Sequence, residues 1–310
     1  MKNKYLGFIK NLKPKGIQTT IMVTFSVTSI LILLILCVGM YLGFYAESRK
    51  NTIQSTQKMM EQTEESLENY LMNMRQISDA IYYNVIKESD FSTQMNEIQK
   101  GMNLLYEANR DSLRSIAIYS NFGSLLGAEP VARQKEDPDV TGQGWYKQAM
   151  SEMENVHFST PHIQNLFDDS TFRYYWVISL SRVVELTDNG DSKLGVLLVD
   201  MDYSAIARMM NQINTLNNGQ YYYLCDNNGQ IIYHMRQTQI SNGIFHENSQ
   251  VAAGCKEGVY DEYFDGQYRK VIVNNISYTG WKLVGVIPYR TFIHGMSTIE
   301  YFIAILMLLM

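Results

Sequence analysis

Thirty-one consecutive residues without a charge, Gly16 to Ala46, constrain this chain more than any other stretch. A helix crossing a bilayer needs about 20 apolar residues, and the core of this run, from Ile21 onward, exceeds that. Lys2, Lys4, Lys10, Lys13 and Lys15 precede it, and no Asp or Glu occurs before Glu47. Basic flanks stay on the cytoplasmic side, so the expected order is a cytoplasmic tail over 1–15, a membrane helix over 16–46, and an extracellular remainder. A cleaved signal peptide is the competing reading. Its apolar region runs only about 7–15 residues before a small-residue cleavage site. Here the run is longer and continues into Tyr41, Leu42, Phe44 and Tyr45, which read as an interfacial anchor.

The opposite end, Tyr301 to Met310, is also wholly apolar. Ten residues make about half a span. The expectation is the start of a second membrane helix over 291–310, cut off partway, so that the chain is a piece of a longer protein; a C-terminal core helix is the alternative. The residues between the two runs suffice for one large domain or two small ones. Five of the 26 Lys and Arg precede the first run, and Glu300 belongs to the far end. The outer region therefore holds 21 basic against 30 acidic residues, a net charge of −9. That balance argues against nucleic acid or anionic lipid as a ligand. Three cysteines are too few for a disulfide framework. Cys37 falls in the membrane run, and Cys225 and Cys255 are either one pair or two thiols.

No Gly or Pro interrupts the sequence between Ala46 and Gly101. Ile53, Met60, Leu67, Met74 and Ile81 recur every seven residues, with Tyr70 and Ile77 between them. This predicts one long helix from Glu47 to about Asn84 whose stripe packs on the chain's own domain distally and on a second subunit nearer the membrane. Ile53, Met60 and Leu67 are the candidate dimer and signalling residues, together with Gly39 and Gly43, a GxxxG pair in the span. A second helix is expected over Glu97–Ala108. Strand-like runs follow at Ser115–Ser120, Phe172–Val184 and Leu194–Asp200, with a short helix at Trp145–Met153 and a helix at Tyr203–Ile213. Asp188-Asn189-Gly190 reads as a hairpin turn. A shorter unit repeats the order: hairpins at 220–234 and 257–274, then a closing strand from Gly280 to Pro288, where proline ends the ladder. The fold class is therefore α+β: a stalk over 47–110, then two antiparallel-sheet units over 111–215 and 216–290.

These pieces, taken together, resemble the double Cache sensor domain, two PAS-like units in tandem. The residues that carry the resemblance are the exit helix, Trp145-Tyr146 with Ala149, and Phe158-Ser159-Thr160-Pro161. The strands Ile178–Val184, Gly195–Asp200 and Gly280–Pro288 complete the set, over about residues 47 to 290. The opening, with Tyr70 to Asn84, is similar to YesM-type membrane sensor histidine kinases. The resemblance implies a membrane-distal unit (111–215) that holds an extracellular small molecule and a proximal unit (216–290) that leads back to the membrane. It also implies a homodimer in the bilayer and, past Met310, a kinase acting on a cytoplasmic response regulator. Carried over by position, Trp145, Tyr146 and Asp200 face the ligand, with Arg182 on the strand beside them. The amino-acid-binding subset has a Tyr and an Arg shortly before the Trp-Tyr pair, where this chain has Pro138 and Gln143. That departure points to a sugar or other neutral polyol. The sensor portion of a chemotaxis receptor, of a cyclase or other membrane-bound regulator, or a partner-protein-binding ectodomain are the alternatives.

The residues themselves carry no catalytic signature: no Walker loop, GxSxG elbow or H-E-x-x-H occurs. The five histidines show no metal-ligand spacing, so no metal or cofactor is expected within the chain. Asp226-Asn227-Asn228-Gly229 fits a hairpin turn better than a calcium loop, since the later bidentate Glu is missing.

Overall fold

The computed structural model describes residues 16–130, 134–135, 139–153, 156–167, 175–215 and 219–292. The apolar run Tyr301–Met310, expected to begin a second span, lies outside the described residues, as do Pro138 and Tyr174. The chain divides into two compact units, one formed by Met1–Ser55 with Tyr289–Met310, the other by Thr56–Pro288.

Helix α1, Ile17–Ile81, is continuous for 65 residues. In the first unit its side chains are largely exposed, as a lipid-facing surface requires; Ile17 is 83% and Phe25 74% accessible. Its hydroxyls are not left bare. Thr20, Thr24 and Thr28 each donate to the carbonyl four residues back, at 2.9–3.0 Å, which satisfies them where water is absent. Gly39 and Gly43 leave open space beside the helix, with nothing within 4 Å of an added Cβ.

In the second unit the same helix becomes a wall. Thr56, Met60, Leu67, Leu71, Met74, Ile77, Ser78 and Ile81 are buried along one stripe, and the helix closes in a π-turn at Tyr82–Ile86. This corrects the expectation for Met60 and Leu67. Both are fully buried within the chain's own fold, so neither is free to meet another subunit. Ile53, in the first unit, is half-buried. A 3.5-residue apolar repeat states that a stripe must be covered, not by which chain.

Beyond the stalk, helix α2 (Met95–Asn109) precedes the first sheet. Its strands are β1 (Leu113–Ser120), β2 (Leu125–Glu129), β3 (His157–Phe158), β4 (His162–Ile163), β5 (Trp176–Asp188) and β6 (Asp191–Asp202), with helix α3 (Gly144–Ser151) between β2 and β3. The order is β2-β1-β6-β5-β3, with β4 also on β5. The central strands are buried on both faces, which is why Val177–Ser181 and Gly195–Met201 read as unbroken burial. Asn189 and Gly190, both at positive φ, make the two-residue turn between β5 and β6. Asp90 fastens that tip by accepting from the Asn189 and Gly190 N–H groups, at 3.2 and 2.9 Å.

Helix α4 (Tyr203–Thr215) leads to the second sheet: β7 (Tyr221–Cys225), β8 (Ile231–His234), β9 (Gly258–Phe264), β10 (Gln267–Asn275) and β11 (Lys282–Pro288), with short helices α5 (Gln237–Ser241) and α6 (Ser249–Gly254) between β8 and β9. Its order, β8-β7-β11-β10-β9, repeats the path β2-β1-β6-β5-β3 of the first sheet, with β4 left without a counterpart. The Asp226 carboxylate caps the β7–β8 turn by accepting from Asn228 and Gln230. Cys225 and Cys255 are both free thiols.

The stalk lies on the back of both sheets. On the second, a Cβ at Gly285 would stand 2.6 Å from the Met60 Sδ and 3.3 Å from the Thr56 Cγ2; glycine there lets helix and sheet close up. There Glu64 accepts from Asn274, and farther along the helix Tyr70 donates to the carbonyl of Asp202, at the end of β6 in the first sheet, at 2.8 Å. On the first sheet, Arg182 of β5 reaches Asp79 of α1 at 2.5 Å and lies over the Tyr82 ring.

Gly285→Val is expected to destabilise the fold by about 1–3 kcal/mol through overpacking, and Met60→Ala by about 2–5 kcal/mol through the cavity it leaves. In chemical denaturation the double variant should lose clearly less than the two single losses combined. Simple additivity would mean that the helix does not bear on Gly285.

Candidate functional site

Alternation along three paired strands builds one polar-edged face on the first sheet. On β1, Ser115, Ala117 and Tyr119 share a side. Their partners on β6 are Asp200, Leu198 and Val196, whose own partners on β5 are Ser179, Ser181 and Val183. Helix α3 crosses this face, bringing Trp145, Tyr146 and Ala149 down onto it, and Val140, Leu166 and Phe167 complete a buried cluster. Trp145 sits at 5.6 Å, ring centre to ring centre, from Tyr119 and at 5.7 Å from Tyr146. The helix is pinned at both aromatics: Ser181 donates its hydroxyl to the Trp145 carbonyl at 2.9 Å, and the Tyr146 hydroxyl donates to the Ser120 carbonyl at 3.1 Å.

At one end of the face lies Asp200, which is 1% exposed. Ser115 donates to one carboxylate oxygen at 2.7 Å, and Ser179 donates to the other. No Lys or Arg pairs with it among the described residues. Burial pushes its carboxyl above the ordinary carboxylate range, against the opposing pull of the two serines and of His162. His162, on β4, extends the chain of contacts, its Nε2 lying 3.2 Å from the Ser179 Oγ and its Nδ1 3.0 Å from the Thr160 carbonyl. The same Nδ1 lies 3.2 Å from the Ser159 hydroxyl.

Tyr119 supplies a further polar atom. It is fully buried and its hydroxyl finds no hydrogen-bond partner among the described residues; burial and the nearby Asp200 both push that hydroxyl up from its ordinary range. An unsatisfied buried hydroxyl costs about 1–3 kcal/mol, a cost that a polar solute beside it removes.

The structure brings three of the four sequence-derived ligand residues, Trp145, Tyr146 and Asp200, to this face. Arg182 is the exception. Strand residues alternate sides, and Ser181 takes the pocket side, so Arg182 points to the stalk, where Asp79 and Tyr82 engage it. It is a structural tie between sheet and helix. Ser115, Tyr119, Ser179 and His162 escaped sequence reading, although the odd-numbered polar positions on β1 and β5 were the available signal. Gln143 is the N-cap residue of α3.

The family model described as Cache domain matches residues 44–296. The chemotaxis protein TlpB of Bacillus subtilis, described as methyl-accepting, is 25% identical over 284 residues, covering 90% of this chain and 40% of that protein. McpC of the same organism, likewise a methyl-accepting chemotaxis protein, is 24% identical over 277 residues, covering 87% and 39%. The chain thus spans about two fifths of the length of these curated relatives. Among solved structures, the ligand-binding domain of the Pseudomonas aeruginosa amino acid chemoreceptor PctC, in complex with GABA, superposes with a TM-score of 0.57 at 15% identity, covering 76% of this chain and 99% of that one. The ligand-binding domain of the Pseudomonas fluorescens chemoreceptor CtaA, in complex with L-isoleucine, gives 0.57 at 15%, covering 79% and 96%.

A raised carboxyl in the folded state binds its proton more tightly there than when unfolded, so its contribution to stability is present at low pH and is lost as pH rises above the ordinary value of 3.8. Asp200→Asn removes that dependence. Its melting temperature relative to the parent is expected to improve as the pH rises from 4 and to level off once the folded-state carboxyl has titrated. A flat difference across that range would show that Asp200 titrates as a solvated carboxyl does. Arg182→Ala is expected to lower the melting temperature while leaving solute binding unchanged.

Proposed function

This chain belongs to the Cache domain family and is an extracellular ligand-sensing domain carried on a membrane helix; on that premise we propose that the face beneath α3 binds an ammonium-bearing small solute, an amino acid or related amine. The first sheet is then the membrane-distal unit (111–215) and the second the proximal one (216–290). The observation that carries the reading is Asp200: a fully enclosed carboxyl with two hydroxyls and a relayed histidine but no fixed cation among the described residues. An ammonium group pairs with such a carboxyl, Tyr119 satisfies its hydroxyl on the same solute, and Trp145 and Tyr119 supply apolar area. The solved neighbours were crystallised with GABA and L-isoleucine, both ammonium-bearing, which supports this class over the neutral polyol expected from the missing arginine. With Gln143 in the arginine's place, a solute's carboxylate, where it has one, is held more weakly here, so plain amines belong in the same class.

The curated relatives favour a methyl-accepting chemotaxis receptor as the whole protein; the histidine kinase implied by the YesM-type resemblance has no such support. Signalling requires that the solute prefer one of two arrangements of the sensor. The homodimer is proposed to meet through Gly39 and Gly43, where the helix surface is open, with Ile53 beyond them.

A thermal-shift screen of the chain in lipid nanodiscs, with amino acids, amines and sugars, tests the ligand reading. At least one ammonium-bearing solute is expected to raise the melting temperature, and Trp145→Ala to abolish that rise. Stabilisation by sugars alone would overturn it.

A further inference from the structure

The second sheet repeats the strand order of the first, and it carries a buried polar cluster at the corresponding place. In the first sheet the polar end is formed by the start of the first strand (Ser115), the start of the fourth (Ser179) and the end of the last (Asp200). In the second, the same end holds Tyr221 at the start of β7 and Arg269 near the start of β10, paired with Pro288 at the end of β11. Both side chains sit on the face covered by the segment between β8 and β9, as Val271 and Val273 do. The charge is reversed: this end carries a guanidinium on β10, the counterpart of β5, whereas the first sheet carries a carboxyl on its last strand, β6.

A carboxylate already occupies that guanidinium, and it comes from the chain itself. Glu247 is supplied by the irregular stretch between α5 and α6. Arg269 Nη2 donates to its Oε1 at 2.6 Å, the Tyr221 hydroxyl donates to its Oε2 at 2.8 Å, and the Asn248 N–H donates to Oε1 at 3.1 Å. The Glu247 side chain is fully enclosed. Glu262 takes the other edge of Arg269 at 2.6 Å, and Phe264 lies under the guanidinium. One donor is left over. His234 accepts at Nδ1 from the Arg236 N–H, at 2.9 Å, so its proton is on Nε2. That Nε2 is buried, finds no hydrogen-bond partner, and lies 3.7 Å from the Glu247 Oε2. Glu247 therefore fills the cradle but leaves His234 Nε2 a long contact in place of a hydrogen bond.

We infer that the second sheet holds its own binding site, for a small carboxylate solute, and that Glu247 is a tethered stand-in for that solute. An incoming carboxylate takes Arg269, Tyr221 and the vacant His234 Nε2–H, and Glu247 moves to water with its segment. The segment is suited to that exchange. It is short, Ile244 at its turn is 74% exposed, and Gly243 has a φ of +69°. It holds to the sheet through Glu247, through the Phe245 ring, which stacks at 5.4 Å on His234, and at its far end through the Asn248 side chain, which donates to Glu262 of β9. Because the tether keeps Glu247 at high effective concentration, a free solute must outcompete it, so the site binds weakly until the stand-in is removed.

The test uses the chain in nanodiscs, titrated calorimetrically with formate, acetate, propionate and succinate. Glu247→Ala is expected to bind at least one of them 10-fold or more tighter than the parent does. Adding Arg269→Gln to Glu247→Ala should abolish that binding, while Asp200→Asn, in the other sheet, should leave it unchanged. In the parent, saturating carboxylate should increase hydrogen exchange across residues 235–248. Glu247→Gln, which keeps shape and loses charge, serves where the alanine variant does not fold. Absence of binding by a folded Glu247 variant, or binding that survives the loss of Arg269, overturns the inference. Failure of amines at the first sheet has no bearing on either result.

Discussion

The fold depends on one contact line, the stripe of α1 that runs from Met60 to Ile81 and is sealed against the backs of both sheets. The stalk forms part of the wall behind the sheets, together with α2, which packs against β1 and β2, and α4, which packs against β5 and β7. Burying a side chain such as Leu67 or Met74 is worth about 1.5–3 kcal/mol each, and the stripe holds several in register. Polar ties at intervals set that register: Glu64 to Asn274, Tyr70 to the Asp202 carbonyl, Asp79 to Arg182. Through these ties one helix touches both sheets.

With the backs of the sheets committed to the stalk, their fronts are free for polar business. Each front is crossed by the segment between its second and third strands. In the first sheet that segment delivers Trp145 and Tyr146 over a buried carboxyl; in the second it delivers Phe245 and Glu247 over a buried guanidinium. Burial acts on the two carboxylates in the same direction and their neighbours decide the result. Burial raises the Asp200 carboxyl, and hydroxyls alone do not offset it. Burial also raises Glu247, but His234, Arg269 and Tyr221 outweigh it and leave the carboxyl below its ordinary range. One acid is short of a cation and the other is saturated by one.

Much of this was legible in the residues. The uncharged run, the hairpin turn at Asn189-Gly190, helices over 97–108 and 203–213, and the repeated succession of hairpins and closing strand follow from local chemistry: apolar length, left-handed turn residues, and the period of the side chains. Trp145 and Asp200 could be singled out because they sit in a recognisable order of motifs. Tyr119 and Ser179 could not, because their role arises from pairing with strands about 20 to 80 residues away, and nothing local marks a serine as the donor to a distant carboxyl.

What the sequence determined alone was where the chain enters the apolar phase, which stretches are strands, and that two residues of unlike parity on β5 must face opposite ways. Only the tertiary structure decided which parity faces the pocket. Once α3 lies against Ser181, Arg182 is sent to Asp79, since a strand has two sides and no third choice. The same holds for the heptad stripe. Its period requires a cover for Met60 and Leu67, and the fold, by placing Gly285 without a side chain opposite Met60, made the chain its own partner.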